Sequence, residues 1–129
     1  MREITLDSNV FIRLVTQDIQ DQYERAKEIF GDIEKEEVIA YVSILVVNEV
    51  IWILENYYKM KRADYIPQLL NLIYLSNLNI IEAKKDLIIS CLKKMQSKKF
   101  DFTDVYLSQI TEKEKFFSFD QDFDKLFSI

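Results

Sequence analysis

Ile4-Thr5-Leu6-Asp7-Ser8-Asn9-Val10-Phe11-Ile12-Arg13-Leu14 passes from a strand to a helix through an aspartate. Glu3 to Leu6 is short and apolar-rich, and from Asn9 onward Val10, Phe11 and Leu14 fall at helical spacing. The same alternation continues down the chain. Residues 19–30 predict a second helix on Tyr23, Ala26, Ile29 and Phe30, with Gly31 placed to end it. Val38 to Val42 is β-branched and aromatic, a strand, and Ser43 after it suits the N-cap of a helix reaching about Tyr58. A helix over 63–76 carries Pro67 near its first turn, where proline is tolerated. Leu78–Ile81 predicts a third strand, 83–97 and 102–114 two more helices, Phe116–Phe119 a fourth strand and 121–127 a last short helix. Strands separated by helices imply parallel pairing, so the fold class is an α/β layered domain, one domain over residues 1–129. In such sheets the site lies outside the carboxyl ends of the strands.

Composition narrows the chemistry. The 129 residues are 49% hydrophobic and 30% charged, enough for a packed core and too apolar for disorder. There is no His, one Cys (Cys91) and one Gly. Histidine-based triads, Cys–His pairs, ordinary zinc sites and glycine-rich phosphate loops are therefore excluded. The longest apolar runs, Ile44–Val47 and Val50–Leu54, are far short of a membrane span, and Met1–Val10 does not resemble a signal peptide. A soluble, cytoplasmic protein is expected. The net charge of −5 argues against a general phosphate-backbone binder unless the acids are clustered.

The acids do fall in informative places. Asp7 and Asp120 each end an expected strand, and either is also a good helix N-cap. Glu49 lies within about 60° of Leu45, Val46, Trp52 and Ile53 on a helical wheel, so a buried carboxylate is expected there. The first downstream cation is Lys59, which makes a metal ion the better partner than a salt bridge. In Phe100-Asp101-Phe102-Thr103-Asp104, Asp101 suits an N-cap while Asp104 can face a site. Carboxylates converging without His or Cys make an oxygen-only site that selects Mg2+ or Mn2+ and suits displacement at phosphorus.

Asp7-Ser8-Asn9-Val10-Phe11-Ile12-Arg13-Leu14, Glu49, Asp101-Phe102-Thr103-Asp104 and Ser118-Phe119-Asp120-Gln121-Asp122-Phe123 resemble, in order and spacing, the PIN-domain nucleases. The nearest likeness is to VapC-like toxins of type II toxin–antitoxin pairs. The resemblance implies a PIN-like three-layer domain with a central parallel sheet of four or five short strands. It implies an endoribonuclease dependent on Mg2+ or Mn2+ that leaves a 3′-hydroxyl and a 5′-phosphate. Asp7, Glu49, Asp104 and Asp120 match the catalytic, metal-binding quartet, with Asp7 and Asp104 as direct ligands. Asn9 and Ser118 match polar supporting positions, and Asp101 caps beside them. Ser8 stands where threonine is usual, and Val105-Tyr106 where small residues are usual. Implied partners are an RNA substrate, a cognate antitoxin that inserts a basic side chain among the acids, and a second copy in a homodimer. The alternative is a catalytically silent PIN-like module that binds protein or RNA. A phosphoacceptor domain is disfavoured, because no acid follows Asp7 two residues on.

Other features stay open at this level. Lys98 and Lys99, with Lys93 and Lys94 before them, and the cluster Lys59, Lys61 and Arg62 are candidate RNA-backbone contacts or ordinary solvated surface. Tyr57, Tyr58 and Tyr74 with Ile66, Leu69, Leu70 and Ile73 are a dimer face or core. Arg13 matches an arginine common in the resembled group but has no role readable from the sequence. Cys91 reads as a small buried hydrophobe.

Overall fold

The computed structural model describes residues 1–120 and 122–128. Three parallel strands, β1 (Arg2–Thr5), β2 (Val38–Val42) and β3 (Leu78–Ile80), form a sheet in that order. Arg2 pairs with Val38 and Ala40 with Leu78, so β2 is central. Around the sheet run α1 (Ser8–Thr16), α2 (Gln20–Glu34), α3 (Ile44–Trp52), α4 (Arg62–Ile73), α5 (Lys85–Ser97) and α6 (Phe102–Ile110). The α/β class with a parallel sheet stands. Among the described residues the sheet has three strands, not four or five.

The missing strand is Phe116–Phe119, which is not paired to the sheet. Its alternation is real: Phe116 and Ser118 are half-buried, whereas Phe117 and Phe119 are 83% and 93% exposed. The apolar demand of Phe116 is met locally. It stacks on Phe123 at 6.0 Å and meets Phe127 edge-on at 5.5 Å, both supplied by the 3₁₀ turn Phe123–Leu126 and its end. Gln121, the first residue of the expected 121–127 helix, lies outside the described residues, as does Ile129.

Two further elements differ from expectation, and one open alternative is resolved. Gly31 does not end α2, which runs on to Glu34; the left-handed residue after it is Glu36, at φ 62°. The helix opened by Ser43 continues past Trp52 as a π turn, Ile53–Tyr57, in which Tyr58 N donates to Ile53 O at 3.1 Å. Ile66, Leu69, Leu70 and Ile73 are core and not a dimer face, leaving Tyr57 and Tyr74 exposed above them. The core is one continuous cluster joining β2 (Val38, Ala40, Val42) to the inner faces of α1, α3, α4 and α5. Cys91 belongs to it, and burial pushes its thiol up to about 11, which makes it inert as a nucleophile. Among the described residues no helix is long and apolar enough to cross a membrane.

Candidate acidic site

Parallel pairing puts the carboxyl ends of all three strands at one edge, followed there by Asp7, Ser43 and Glu82. Asp7 is the N-cap of α1, its Oδ1 accepting from Asn9 N at 3.1 Å. The capping and site readings of Asp7 are thus compatible, because one carboxylate oxygen makes that bond. Asn9 itself is exposed and lines a cleft between α1 and α2 with Val10, Arg13 and Arg25.

Glu82 went unread in the sequence although it follows β3 by two positions. Its carboxylate accepts from Ser43 Oγ and, at 2.8 Å, from Ile44 N. It thereby caps α3 from across the sheet edge. Those two bonds hold its pKa below the usual carboxylate value. The signal in the sequence is its position, directly after the expected strand Leu78–Ile81 at the carboxyl edge of the sheet.

Glu49 is exposed, not buried, and the argument that burial demands a metal there does not hold. Leu45 and Trp52, its neighbours on the wheel, are 76% and 61% exposed. The packed stripe of this helix is instead Val47, Val50, Ile51 and Leu54, at positions i, i+3, i+4 and i+7. On a helix apolar nearly all round, periodicity does not say which side faces inward. α3 packs against both α1 and α6, which places Glu49 on the helix between those carrying Asp7 and Asp104.

Asp101 is the residue before α6, in extended conformation, and Val105 N donates to its carbonyl at 3.0 Å. Its side chain makes no capping bond, so Asp101 is the N-cap by position and backbone only. Asp104, in the first turn, is half-buried. Burial, and then the negative charges of Asp101 and Asp120, push its carboxyl above the usual value of 3.8. Asp101, Asp104 and Asp120 are therefore brought into one electrostatic neighbourhood. Asp120 is fixed by a local turn: its N donates to Ser118 Oγ at 3.0 Å, and its Oδ1 accepts from Asp122 N at 2.9 Å. Ser118 thus supports Asp120 directly, though through a turn and not along a strand.

Among the described residues, no three acids stand close enough together to hold a metal ion as placed. The chemistry of the donor set still fits a hard divalent cation, since every candidate is a carboxylate and their mutual repulsion calls for a countercharge. Of the cations, Lys99 is exposed and Lys98 Nζ reaches Ser128 O at 3.5 Å. Arg62 is half-buried and engaged by Glu55 and by the carbonyls of Lys98 and Phe100. Arg13 has a structural role: it donates to Gln22 Oε1 (2.8 Å) and Tyr58 Oη (3.1 Å) and pairs with Asp18 (3.4 Å). It ties α1, α2 and the end of the π turn together.

Compared with known families, residues 4–127 match the model described as PIN domain. No curated protein and no solved structure matches the chain significantly.

Proposed function

This chain belongs to the PIN-domain family, and on that premise we propose that it is a Mg2+- or Mn2+-dependent endoribonuclease acting as the toxin of a toxin–antitoxin pair. Members of the family are generally nucleases. The observation that carries the reading is the like-charge environment of Asp104, raised by burial and by Asp101 and Asp120. A carboxylate whose charge is opposed by burial and by two other negative groups is a poor stabilising element and a candidate cation ligand.

In this reading Asp7, Glu49, Asp104 and Asp120 hold the metal, directly or through water. The metal would supply an activated water and neutralise charge at the scissile phosphate. The chain's own part is orientation. The Asp101 carbonyl starts α6 and so sets Asp104, while the Ser118 hydroxyl and Asp122 N set Asp120. Asp7 is set by its bond to Asn9 N. Lys98 and Lys99 would meet the RNA backbone. A cognate antitoxin would silence the site with a basic side chain, and a homodimer is the expected assembly.

The test is cleavage of a mixed pool of structured RNAs with Mg2+ or Mn2+. EDTA and Asp7→Asn should each abolish product. Absence of cleavage together with absence of Mn2+ binding by calorimetry would overturn the reading.

A further inference from the structure

The half-buried Arg62 sits behind the start of α6 and touches no acid of the candidate site. It is bonded on both sides. Its Nε donates to Glu55 Oε2 at 2.7 Å, and the same oxygen accepts from the Tyr65 hydroxyl at 2.6 Å. Its Nη1 donates to Phe100 O at 2.8 Å and Lys98 O at 2.9 Å, with a longer contact to Met95 O at 3.3 Å. Lys98 is the C-cap of α5, and Phe100 immediately precedes Asp101. One guanidinium therefore spans the link from the last turn of α5 to Phe100, the residue before the N-cap of α6.

Carbonyls at a helix C-terminus have no intrahelical donor, and a cation there is favoured by both hydrogen bonding and the helix dipole. A planar fork is suited to serving a carboxylate and several carbonyls at once; an ammonium on a flexible stem is not. Glu55 meanwhile lines a cleft between α3 and α6 together with Asn48, Trp52, Asp101 and Thr103. Thr103 Oγ1 reaches Asn48 Oδ1 across that cleft at 3.4 Å. The link is thus clamped from α4 and from the π turn, directly beside the acids it carries.

We infer that Arg62, oriented by Glu55 and Tyr65, is a positioning residue: it sets the start of α6 so that Asp101 and Asp104 are presented at the spacing the acidic site requires. The inference rests on the proposed metal site for its effect on metal affinity and on the nuclease reading for its catalytic consequence; what geometry supplies is the set of bonds that ties Arg62 to this link.

The experiment compares wild type, Arg62→Lys, Arg62→Ala and Glu55→Gln for RNA cleavage and for Mn2+ binding, below each variant's unfolding transition. Residues that orient metal ligands typically matter by about 10–100-fold. Arg62→Lys, which keeps the charge and loses the fork, should lower kcat and Mn2+ affinity in that range with KM for RNA unchanged. Glu55→Gln keeps an acceptor for Arg62 and should act in the same direction more weakly, which covers the case that Arg62 variants do not fold. Added guanidinium ion should restore part of the kcat of Arg62→Ala. Variants that are less stable yet have wild-type kcat and Mn2+ affinity would overturn the inference while leaving the nuclease reading intact. An inactive wild type that still binds Mn2+ would defeat the nuclease reading, and the affinities would decide the positioning role alone. An inactive wild type that binds no Mn2+ would remove both.

Discussion

Asp104 and Asp120 carry the same charge into the same neighbourhood but are held by opposite means. The Asp104 side is anchored through Arg62, Glu55 and Tyr65, which join α4, the π turn and the end of α5. The Asp120 side is anchored locally. Its ion pairs, Lys113–Asp124, Lys115–Glu112 and Lys125–Asp122, all have side chains more than half exposed. Hydrogen bonds to charged groups contribute roughly 1.5–3 kcal/mol when sheltered. Exposed ion pairs contribute roughly 0–1 kcal/mol. Two acids can therefore share one electrostatic neighbourhood while one is fixed by the fold and the other by a few neighbouring residues.

The largest effect expected from this contrast is at Asp104. Its carboxyl binds its proton more tightly folded than unfolded, because burial and then Asp101 and Asp120 disfavour the charge. Stability is thus greater below the usual carboxylate value and is lost as pH rises through the raised folded one. At neutral pH the ionised side chain is a net cost that Asp104→Asn removes. Cleavage should fall at least about a hundredfold. The melting temperature at pH 7 should rise, and the gain should vanish in acid. A lower melting temperature at pH 7 would mean that Asp104 serves the N-terminus of α6 more than it suffers from its neighbours.

How much of this was legible in the sequence follows the same division. Strand-to-helix transitions at Asp7 and Ser43 were readable because a short side chain capping a helix is a local event. The α/β class followed from their alternation. The exposure of Glu49 was not readable, since Leu45 and Trp52 are as apolar as Val47 and Val50, and only packing decides between them. The failure of Phe116–Phe119 to pair was equally hidden, because the partners of Phe116 lie just downstream and their apolar character served both readings. In sequence Arg62 is one cation in a cluster with Lys59 and Lys61. Its ligands are carbonyls 33 to 38 positions away, and carbonyls have no sequence signature.

An intermediate effect isolates the anchor from the chemistry. Tyr65 is fully buried, and burial followed by its bond to Glu55 raises its phenol far above the usual value. It stays protonated and donates at any working pH. Tyr65→Phe removes that donor without changing the ring's shape. The loss should be about 1–3 kcal/mol, read from urea unfolding with an unchanged m-value. A neutral result would mean that Arg62 alone satisfies Glu55 and that the corner is simpler than its bonds suggest.

The smallest effect should come from the exposed arm, and it is the sharpest check on the contrast. Lys113→Ala and Lys125→Ala each delete one exposed pair, at 3.5 and 3.4 Å. Each should change stability by no more than about 0.5 kcal/mol, with any change fading as salt is raised. Phe116 should matter more than either, since its stack on Phe123 and its contact with Phe127 are the apolar hold on this stretch. A large, salt-resistant loss in either lysine variant would show that the arm bearing Asp120 is held as firmly as the one bearing Asp104. The site would then have two rigid walls. With the expected small loss it has one rigid wall and one set by its neighbours in sequence, so a bound countercharge would order the Asp120 side more than the Asp104 side.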